Sequence, residues 1–242
     1  MRIIVTGGAG FVGTNLIKRL LSEGHEVKSL DNYSTGKKEN EQEGCTYYNL
    51  DINDKSLSFE NIDVIFHMAA LARIQPSLIN PQQTIEANVN GTLNILELAR
   101  KNNTPVIYAG SSSVHHGLYG SQYRNNEPLT ITADGEQRRD FTHVNDIVDG
   151  LYRCIGRESK ADIFELGSGR NYSINEVASL FKTKTKYIPA RNGEYPFTLC
   201  DYSYAHQELG WKPKENLKNY IKGVLNEKPC REVFCNRSFT WY

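Results

Sequence analysis

A short apolar strand followed at once by a glycine-rich turn is the feature of this sequence that most constrains its fold. Residues 1–6 read MRIIVT and residues 7–13 read GGAGFVG, which gives the spacing G-x-G-x-x-G from Gly8. Positions without side chains let the backbone turn tightly, approach a pyrophosphate and aim the N–H groups of a following helix at its negative charge. The turn therefore predicts a dinucleotide site.

The residues after the turn supply the context that this motif requires. Apolar residues at helical spacing follow it, and a second strand over residues 26–30 ends at Asp31. An acid at this place can accept from a ribose 2′-hydroxyl and would repel a 2′-phosphate, and no arginine follows it. We therefore expect NAD rather than NADP; the alternative is that Asp31 and Asn32 form an acidic turn with no ligand.

Composition narrows the classes of partner and compartment. The chain has 242 residues, 39% of them hydrophobic, which is enough for one core with a small appended lobe, and its 28 basic side chains equal its 28 acidic ones. We therefore expect a small-molecule partner and neither nucleic acid nor membrane. The five cysteines show no metal-binding spacing, and no apolar run approaches membrane-spanning length. We expect a cytoplasmic protein without a metal.

Alternating strands and helices in the first half predict a doubly wound parallel sheet. Further strands are predicted at residues 46–50, 62–67 and 105–109. A long helix is predicted from about residue 81 to 101. Its apolar residues at a period of 3.6 predict the face that lies on the sheet; they are Ile85, Val89, Leu93 and Leu96.

The second half is less regular. A helix is predicted over residues 144–156, a strand over 163–166, and a helix that begins after Ser173, with Glu176 at capping-box spacing. The predicted domains are an NAD-binding Rossmann-like domain over residues 1–133, a segment over 134–225 that completes the sheet and forms a small substrate lobe, and a tail over 226–242.

Further motifs carry a resemblance to a known family. They are LDNYSTGKKEN at 30–40, DI at 51–52, HMAA at 67–70, NVNGT at 88–92, SSS at 111–113, DGEQRRDFTHV at 134–144 and LGWKP at 209–213. In this order they resemble the extended short-chain dehydrogenase/reductase family, in its branch of nucleotide-sugar epimerases and dehydratases, such as UDP-glucose 4-epimerases. The resemblance covers about residues 1–117 and 127–225.

The resemblance implies a set of cofactor residues. Those at the pyrophosphate are Gly7, Gly10, Phe11, Val12 and Gly13. Those around the adenosine are Asp31, Asn32, Ser34, Thr35, Gly36, Asp51 and Ile52. Those at the nicotinamide-side ribose are Ala69, Ala70 and Leu71, with Asn88 behind them, although Asn88 is equally explained as a satisfied polar side chain on a helix.

The resemblance also places Arg139 and Arg191 on the diphosphate of a nucleoside-diphosphate sugar. A guanidinium matches phosphate oxygens with two parallel hydrogen bonds, so arginine suits this task. The competing explanation is ordinary surface ion pairing, since Arg138, Asp140 and Glu194 are their neighbours in sequence.

The sequence departs from the family where the proton is transferred. Ser112 matches the family's Ser/Thr, but the only Tyr-x-x-x-Lys is Tyr33 to Lys37, in the adenosine-side loop, which we reject as catalytic. Too few residues separate Gly117 from Asp134 for the family's helix, strand and loop. We therefore expect a truncated Rossmann-like fold, with an internal deletion that removes the Tyr-x-x-x-Lys segment.

Three side chains near this gap are candidates for the missing base. Tyr119 begins a Tyr-Gly-Ser run, with Tyr123 where the lysine should stand, and without a permanent positive charge its pKa would remain near 10. His115 or His116 could accept a proton near neutral pH. Alternatively, all three lie in a solvated loop.

Two functions therefore remain open. One is an NAD-dependent nucleotide-sugar epimerase or dehydratase with a rebuilt proton-transfer group; the other is a protein that binds NAD and nucleotide sugar without turnover. The retained arginines favour the enzyme and the deletion favours binding. The loss of a helix would also expose an apolar face, to be covered by the 111–133 loop, by the tail or by a non-standard contact in a homo-oligomer.

Overall fold

The computed structural model describes residues 1–110, 122–123, 127–158 and 161–226. The chain divides into two compact units, with breaks after residues 111, 150 and 161: the first takes in residues 1–111 and 151–161, and the second takes in the others. The predicted domain boundary at residue 133 stays a prediction.

The first unit is built on a parallel sheet of five strands. They are β1 (Arg2–Thr6), β2 (Glu26–Asp31), β3 (Cys45–Asn49), β4 (Val64–His67) and β5 (Val106–Tyr108). Their order in the sheet is β3-β2-β1-β4-β5, and every pair is parallel. The order reverses at β1, so a crevice opens beyond the carboxyl ends of β1 and β4, where ligands bind in doubly wound sheets. The predicted fold class is confirmed.

Helices cover both faces of this sheet. On one face α1 (Phe11–Ser22) buries Leu16, Ile17 and Leu20. On the other face the helical run contains α2 (Ile74–Ile79), α3 (Pro81–Ile85), a π-helical turn (Glu86–Asn90) and α4 (Gly91–Asn102). Here Ile95 and Leu98 pack with Ile4 and Ile65 in one core. Near-continuous apolar strands between two helical layers are what a parallel sheet requires.

The predicted contact face of the long helix is wrong. Ile85, Val89, Leu93 and Leu96 are between 49% and 58% exposed in the first unit. The run carries two apolar stripes, and the sheet buries the one that begins at Gly91. A side chain at Gly91 would meet Ile52 at 2.5 Å, so glycine is what allows the close approach. A hydrophobic period alone does not distinguish two stripes.

The described residues of the second unit form two small sheets. One pairs β6 (Leu129–Thr132) with β9 (Thr185–Ile188) in parallel, and the other pairs β7 (Arg138–Asp140) with β8 (Asn171–Ser173) in antiparallel. Its helices are α6 (Ile174–Leu180), α7 (Ser203–Leu209) and α8 (Leu217–Asn226), and α5 (Val144–Arg153) leads out of the unit at residue 150. Its main core consists of Leu129, Ile131, Val177, Ala178, Phe181, Leu217, Ile221 and Val224.

Two local predictions in this unit have opposite outcomes. The capping box is confirmed, because the Glu176 N–H donates to Ser173 Oγ at 3.0 Å and the Ser173 N–H donates to Glu176 Oε2 at 2.7 Å. The predicted strand at 163–166 is wrong, since the segment joins no sheet and Ile163 is 84% exposed. Its Phe164 ring instead stacks on Tyr204, with centroids 5.3 Å apart.

The described part of the chain contains no helix that is both long and apolar enough to cross a bilayer. Over the same residues, no three histidine, cysteine or acidic side chains gather where they could hold a metal ion. The cysteines described, Cys45, Cys154 and Cys200, carry free thiols.

Candidate cofactor and substrate sites

The glycine turn joins β1 to α1, and at two of its glycines the neighbouring backbone leaves no room for a side chain. Gly7 has a φ of +68°, and a Cβ there would lie 2.9 Å from the backbone of Ala69. A Cβ on Gly13 would lie 2.2 Å from the Gly7 carbonyl oxygen. The turn is closed by the Gly10 N–H, which donates to the same oxygen at 3.1 Å. The end of β1, the start of α1 and the residues after β4 therefore lie close together at the mouth of the crevice.

The start of α1 suits an anion. Its N-cap is Gly10, which contributes no capping side chain, and its first turn holds no acidic residue. The positive end of the helix dipole and the first-turn N–H groups therefore face the turn without a competing carboxylate. Together with the glycine cradle, these residues fit the pyrophosphate of a dinucleotide.

Asp31 lies beside this turn at the end of β2. The residue is only 7% exposed, and its carboxylate accepts the N–H of Ala9 at 2.9 Å and that of Tyr33 at 2.8 Å. A carboxylate has about four lone-pair positions, so these two bonds leave it able to accept from a ribose hydroxyl. The structure thus brings Asp31 to the glycine turn.

The loop after Asp31 folds back onto the same turn. The Lys37 N–H and the Asn40 side chain both donate to the Ala9 carbonyl, at 3.2 and 2.8 Å. This loop includes three of the predicted adenosine-side residues, Ser34, Thr35 and Gly36. A Cβ on Gly36 would lie 3.0 Å from Ala9, so the loop lies tightly against the turn.

Asn32 and Asp51 join the loop to the end of β3. The Asn32 side chain donates to Asp51 Oδ2 at 2.7 Å and accepts the Ser34 N–H at 3.0 Å. Asp51 also accepts the Asn53 N–H at 2.8 Å, while Ile52 is buried in the core. The predicted adenosine residues therefore form one connected group.

Tyr33 is held in a state that opposes catalysis. Its hydroxyl donates to Glu41 Oε1 at 2.6 Å. Burial raises the pKa of Tyr33 well above its ordinary value, and the Glu41 carboxylate raises it further. A phenol of this kind keeps its proton, which agrees with our rejection of Tyr33 to Lys37 as the catalytic pair.

Residues 69–71 follow β4 and form what we call the wall. The Ala69 N–H donates to Thr6 Oγ1 at 3.1 Å. Asn88 grips Leu71 from the helical run, since its Oδ1 accepts the Leu71 N–H at 2.8 Å and its Nδ2 donates to the Leu71 carbonyl at 3.1 Å. The side chain of Asn88 thus pairs with the wall as a neighbouring strand would.

Sequence reasoning missed a buried histidine behind the wall. His67, 1% exposed, lies between Thr6 and Thr92, with Thr6 Oγ1 at 2.7 Å from Nδ1 and Thr92 Oγ1 at 2.9 Å from Nε2. Burial lowers the pKa of His67 to about 4. One signal in the sequence could have indicated it. Like β1, which ends IIVT, β4 reads VIFH and is apolar except for its last residue.

In the second unit Arg139 lies on β7 and is 1% exposed. Its Nη1 donates to the Arg138 carbonyl at 2.8 Å. Burial lowers the pKa of Arg139, and the carboxylate of Glu194 opposes this shift. Arg191 reaches Glu194 as well, with Nη1 3.9 Å from Oε1. Both predicted arginines therefore lie within the influence of one carboxylate.

Asp140, the next residue of β7, organises the loops around Arg139. It accepts the N–H groups of Ser168 at 2.8 Å, Gly169 at 2.9 Å and Cys200 at 3.2 Å, together with the Ser168 hydroxyl. A side chain on Gly167 would overlap Cys200, so the two loops meet closely. Charge-assisted bonds of this kind are about twice as strong as neutral ones.

The residues predicted to transfer the proton are not among those that the structure describes. Ser112, His115, His116 and Tyr119 lie outside the described residues. Tyr123 is described and packs against the core of the second unit, with its ring centroid 5.6 Å from that of Phe181. The roles assigned to all cofactor, substrate and catalytic residues stay predictions.

A glycine cradle at the switch point of a doubly wound sheet, with an acid at the end of the second strand, defines the class of Rossmann-type proteins that bind NAD. The model of the NAD dependent epimerase/dehydratase family matches residues 3–122 and 118–167. The chain belongs to this family. Membership confirms the resemblance, the NAD cofactor and the enzyme class that the sequence predicts.

Individual relatives agree with the family match. A Methanocaldococcus jannaschii protein, provisionally named a UDP-glucose 4-epimerase, is 28% identical over 300 aligned positions, covering 93% of this chain and 97% of that protein. A UDP-glucuronate 4-epimerase of Thermodesulfobacterium geofontis is 27% identical, covering 92% and 94%. In fold, the chain matches the crystal structure of a UDP-glucose 4-epimerase from Thermotoga maritima with a TM-score of 0.86 at 23% identity, covering 93% of this chain and 97% of that one.

Proposed function

We propose that this protein is an NAD-dependent epimerase of a UDP-sugar. The observation that carries the proposal is the glycine cradle beside Asp31, in a chain that belongs to the NAD dependent epimerase/dehydratase family. Relatives named for UDP-glucose and UDP-glucuronate support uridine diphosphate as the nucleotide part of the substrate. Epimerisation is favoured over loss of water because these relatives are named as epimerases.

The residues of the first unit bind and orient the cofactor. Backbone amides at the start of α1 would hold its pyrophosphate, Asp31 would accept from the adenine ribose, and the wall would border the nicotinamide-side ribose. Bound NAD supplies an acceptor for hydride from a sugar carbon, from which the hydride can return to the opposite face. The protein must meanwhile hold and return one hydroxyl proton of the sugar.

The residues of the second unit bind the diphosphate. Arg139 is buried, so its charge is poorly screened and would attract a phosphate strongly. Arg191 is 30% exposed at its side chain and can turn towards an arriving anion. These features favour phosphate binding over surface ion pairing.

Proton transfer is assigned to Ser112 with Tyr119, or to His116 in place of Tyr119. Two observations support the shortened block from which this assignment starts. The family model matches in two segments that overlap at residues 118–122, and the alignment with the archaeal relative spans 300 positions although the chain has 242 residues. Such an alignment must contain gaps on this chain's side.

The second candidate function is binding without turnover. It is favoured by one observation, that the only Tyr-x-x-x-Lys of the sequence is Tyr33 to Lys37, where the Tyr33 hydroxyl is engaged by Glu41. Such a protein would keep the NAD crevice and the arginines and would lack the base.

Incubation of purified protein and NAD with UDP-glucose and UDP-glucuronate, followed by product analysis, separates the two functions. An active enzyme gives the 4-epimer and a transient absorbance of reduced nicotinamide. Thermal stabilisation by the sugar, without product or reduced cofactor, would establish binding alone. Tyr119→Phe is expected to abolish turnover and to spare NAD affinity, whereas Tyr33→Phe serves as the matched control with activity retained. Unchanged turnover in Tyr119→Phe would move the assignment to His116.

Association and location complete the proposal. Copies of the chain are proposed to associate through the exposed stripe of Ile85, Val89, Leu93 and Leu96, since contiguous apolar surface of this kind marks contact sites. Leu93→Lys is expected to reduce the mass measured by sedimentation.

A cytoplasmic location is proposed from the free thiols of the described residues and from the cofactor, and fractionation of expressing cells tests it.

A further inference from the structure

A continuous path of hydrogen bonds runs behind the wall of the first unit. Thr6 and His67 are register partners at the ends of β1 and β4, and Thr92 lies on α4. Thr6 Oγ1 lies 2.7 Å from His67 Nδ1, and Thr92 Oγ1 lies 2.9 Å from His67 Nε2. Because Thr6 and His67 are at most 1% exposed, water does not compete for the bond between them.

The two ends of this path fix the direction of every bond in it. The Thr92 hydroxyl donates its single hydrogen to the Asn88 carbonyl at 2.8 Å, so towards His67 its oxygen can only accept. Nε2 therefore carries the hydrogen, and Nδ1 of a neutral ring is bare. Thr6 must then donate its hydroxyl hydrogen to Nδ1, while its oxygen accepts the Ala69 N–H at 3.1 Å.

Both ends of the path hold the wall. At one end the Ala69 N–H is the first donor. At the other end Asn88, whose carbonyl takes the last hydrogen, holds Leu71 by its N–H and its carbonyl. Gly7, without a side chain, lets the wall approach the glycine turn to within 2.9 Å of where a Cβ would be.

A charged or reversed ring would break this arrangement. With a hydrogen on Nδ1, two donors would meet between His67 and Thr6, and Thr6 would have to turn its hydrogen away. An unsatisfied buried donor costs about 1–3 kcal/mol. Hydrogen-bonded networks of this kind specify one geometry because each member depends on the next.

We propose that His67, fixed as the neutral Nε2–H tautomer by Thr6 and Thr92, is a positioning residue that sets the wall for the cofactor. The proposal rests on the proposed function in one respect, that residues 69–71 border the nicotinamide-side ribose. His67 itself touches neither cofactor nor sugar and acts through the Ala69 amide and Asn88.

The first test is made on the wild-type protein, by two-bond ¹⁵N–¹H correlation spectroscopy of the histidine rings at neutral pH. The spectrum of His67, assigned as the one lost in His67→Gln, is expected to show a protonated Nε2 and a bare Nδ1. A ring protonated on Nδ1, or one that exchanges freely between tautomers, would overturn the proposal. This measurement needs no variant that must bind a ligand.

The second test removes the hydroxyl group of Thr92 from the path. Thr92→Val deprives Nε2 of its acceptor and is expected to weaken NAD binding about tenfold, as measured by calorimetry, and to alter the His67 tautomer. Thr92→Ser restores the hydroxyl and is expected to restore both.

Thr84→Val is the matched control, because the Thr84 hydroxyl also donates to a carbonyl four residues earlier, that of Asn80, and the bond does not involve His67. It is expected to change neither NAD affinity nor the tautomer. An altered tautomer in Thr92→Val with wild-type NAD affinity would overturn the positioning role. If the wild-type protein fails to bind NAD, the proposed function fails while the tautomer measurement still decides the hydrogen-bond path.

Discussion

In the first unit the groups assigned to the ligand are mostly backbone amides and uncharged side chains, whereas in the second they are guanidinium groups near carboxylates. Gly7 and Gly13 act through the shape of the turn, and His67 supports the wall from behind through neutral hydrogen bonds. Arg139 is kept in place by short strands and by loops that converge on Asp140. If these proposed roles hold, recognition in the first unit depends on close backbone approach, and recognition in the second on fixed charge.

The largest expected effect falls on the charged organisation of the second unit. Asp140→Asn places an amide where three backbone N–H groups donate, and it is expected to lower the free energy of unfolding by about 4 kcal/mol. Urea unfolding followed by the fluorescence of buried Trp211 measures this. Asp134→Asn, where an exposed carboxylate accepts a single N–H, is the control and is expected to cost less than about 1 kcal/mol. Equal losses in both would contradict the role of Asp140.

Backbone approach in the first unit is tested by Gly13→Ala. The new Cβ would lie 2.2 Å from a backbone oxygen, so the turn must open, and NAD affinity is expected to fall about 100-fold, near 3 kcal/mol. Calorimetry with NAD makes the measurement. The control is Gly223→Ala in α8, where nothing lies within 4 Å of the new atom and affinity is expected to be unchanged. An unchanged NAD affinity in Gly13→Ala would show that the turn tolerates a side chain.

The neutrality of His67 predicts how stability depends on pH. Because burial lowers the pKa of His67 to about 4 in the folded state against 6.5 in the unfolded chain, the unfolded state takes up more protons between these values. Its contribution is complete above pH 6.5 and is lost as the pH falls towards 4.

Lowering the pH from 7 to 5 is therefore expected to remove about 2 kcal/mol through His67 alone. The difference between wild type and His67→Gln in urea unfolding at the two pH values isolates this contribution from that of other groups. An equal loss of unfolding free energy in both proteins would show that groups other than His67 cause it.

The smallest expected effect concerns the carboxylate between the arginines. Glu194→Gln removes a negative charge that competes with an arriving diphosphate, so UDP affinity is expected to rise about threefold, which screening at this partly exposed site keeps small. Titration calorimetry with UDP measures it, and Glu26→Gln on β2 is the control. Weaker binding in Glu194→Gln would mean that Glu194 orients the arginines rather than competing with the ligand.

How far the sequence predicts each unit follows from the same contrast. The strands and crevice of the first unit could be predicted because parallel strands are apolar runs and the glycines of the turn lie close together in the sequence, at positions 7, 8, 10 and 13. Asp31 was predicted at the strand end, and the structure places it at the turn. The buried face of α4 was not predicted, because Gly91 decides it through contact with Ile52, which is distant in sequence.

In the second unit the local signals succeeded and the long-range ones did not. The capping box needs only Ser173 and Glu176, three positions apart at the start of a helix, and it was predicted correctly. Asp140 receives donors from residues 28 to 60 positions away, and no periodic pattern reveals such a convergence. The relation of His67 to Thr6 is equally remote, with 61 positions between them.

The central place of β1 in its sheet has a consequence for how the chain matures. During synthesis one edge of this strand gains a neighbour as soon as residues 26–31 emerge, but its other edge must wait for residues 64–67. Pairings between segments so far apart form slowly, since the intervening chain loses much of its freedom first. Strand β1 can thus be sheltered on both sides only after residues 64–67 have emerged, and the crevice beyond the ends of β1 and β4 cannot form earlier.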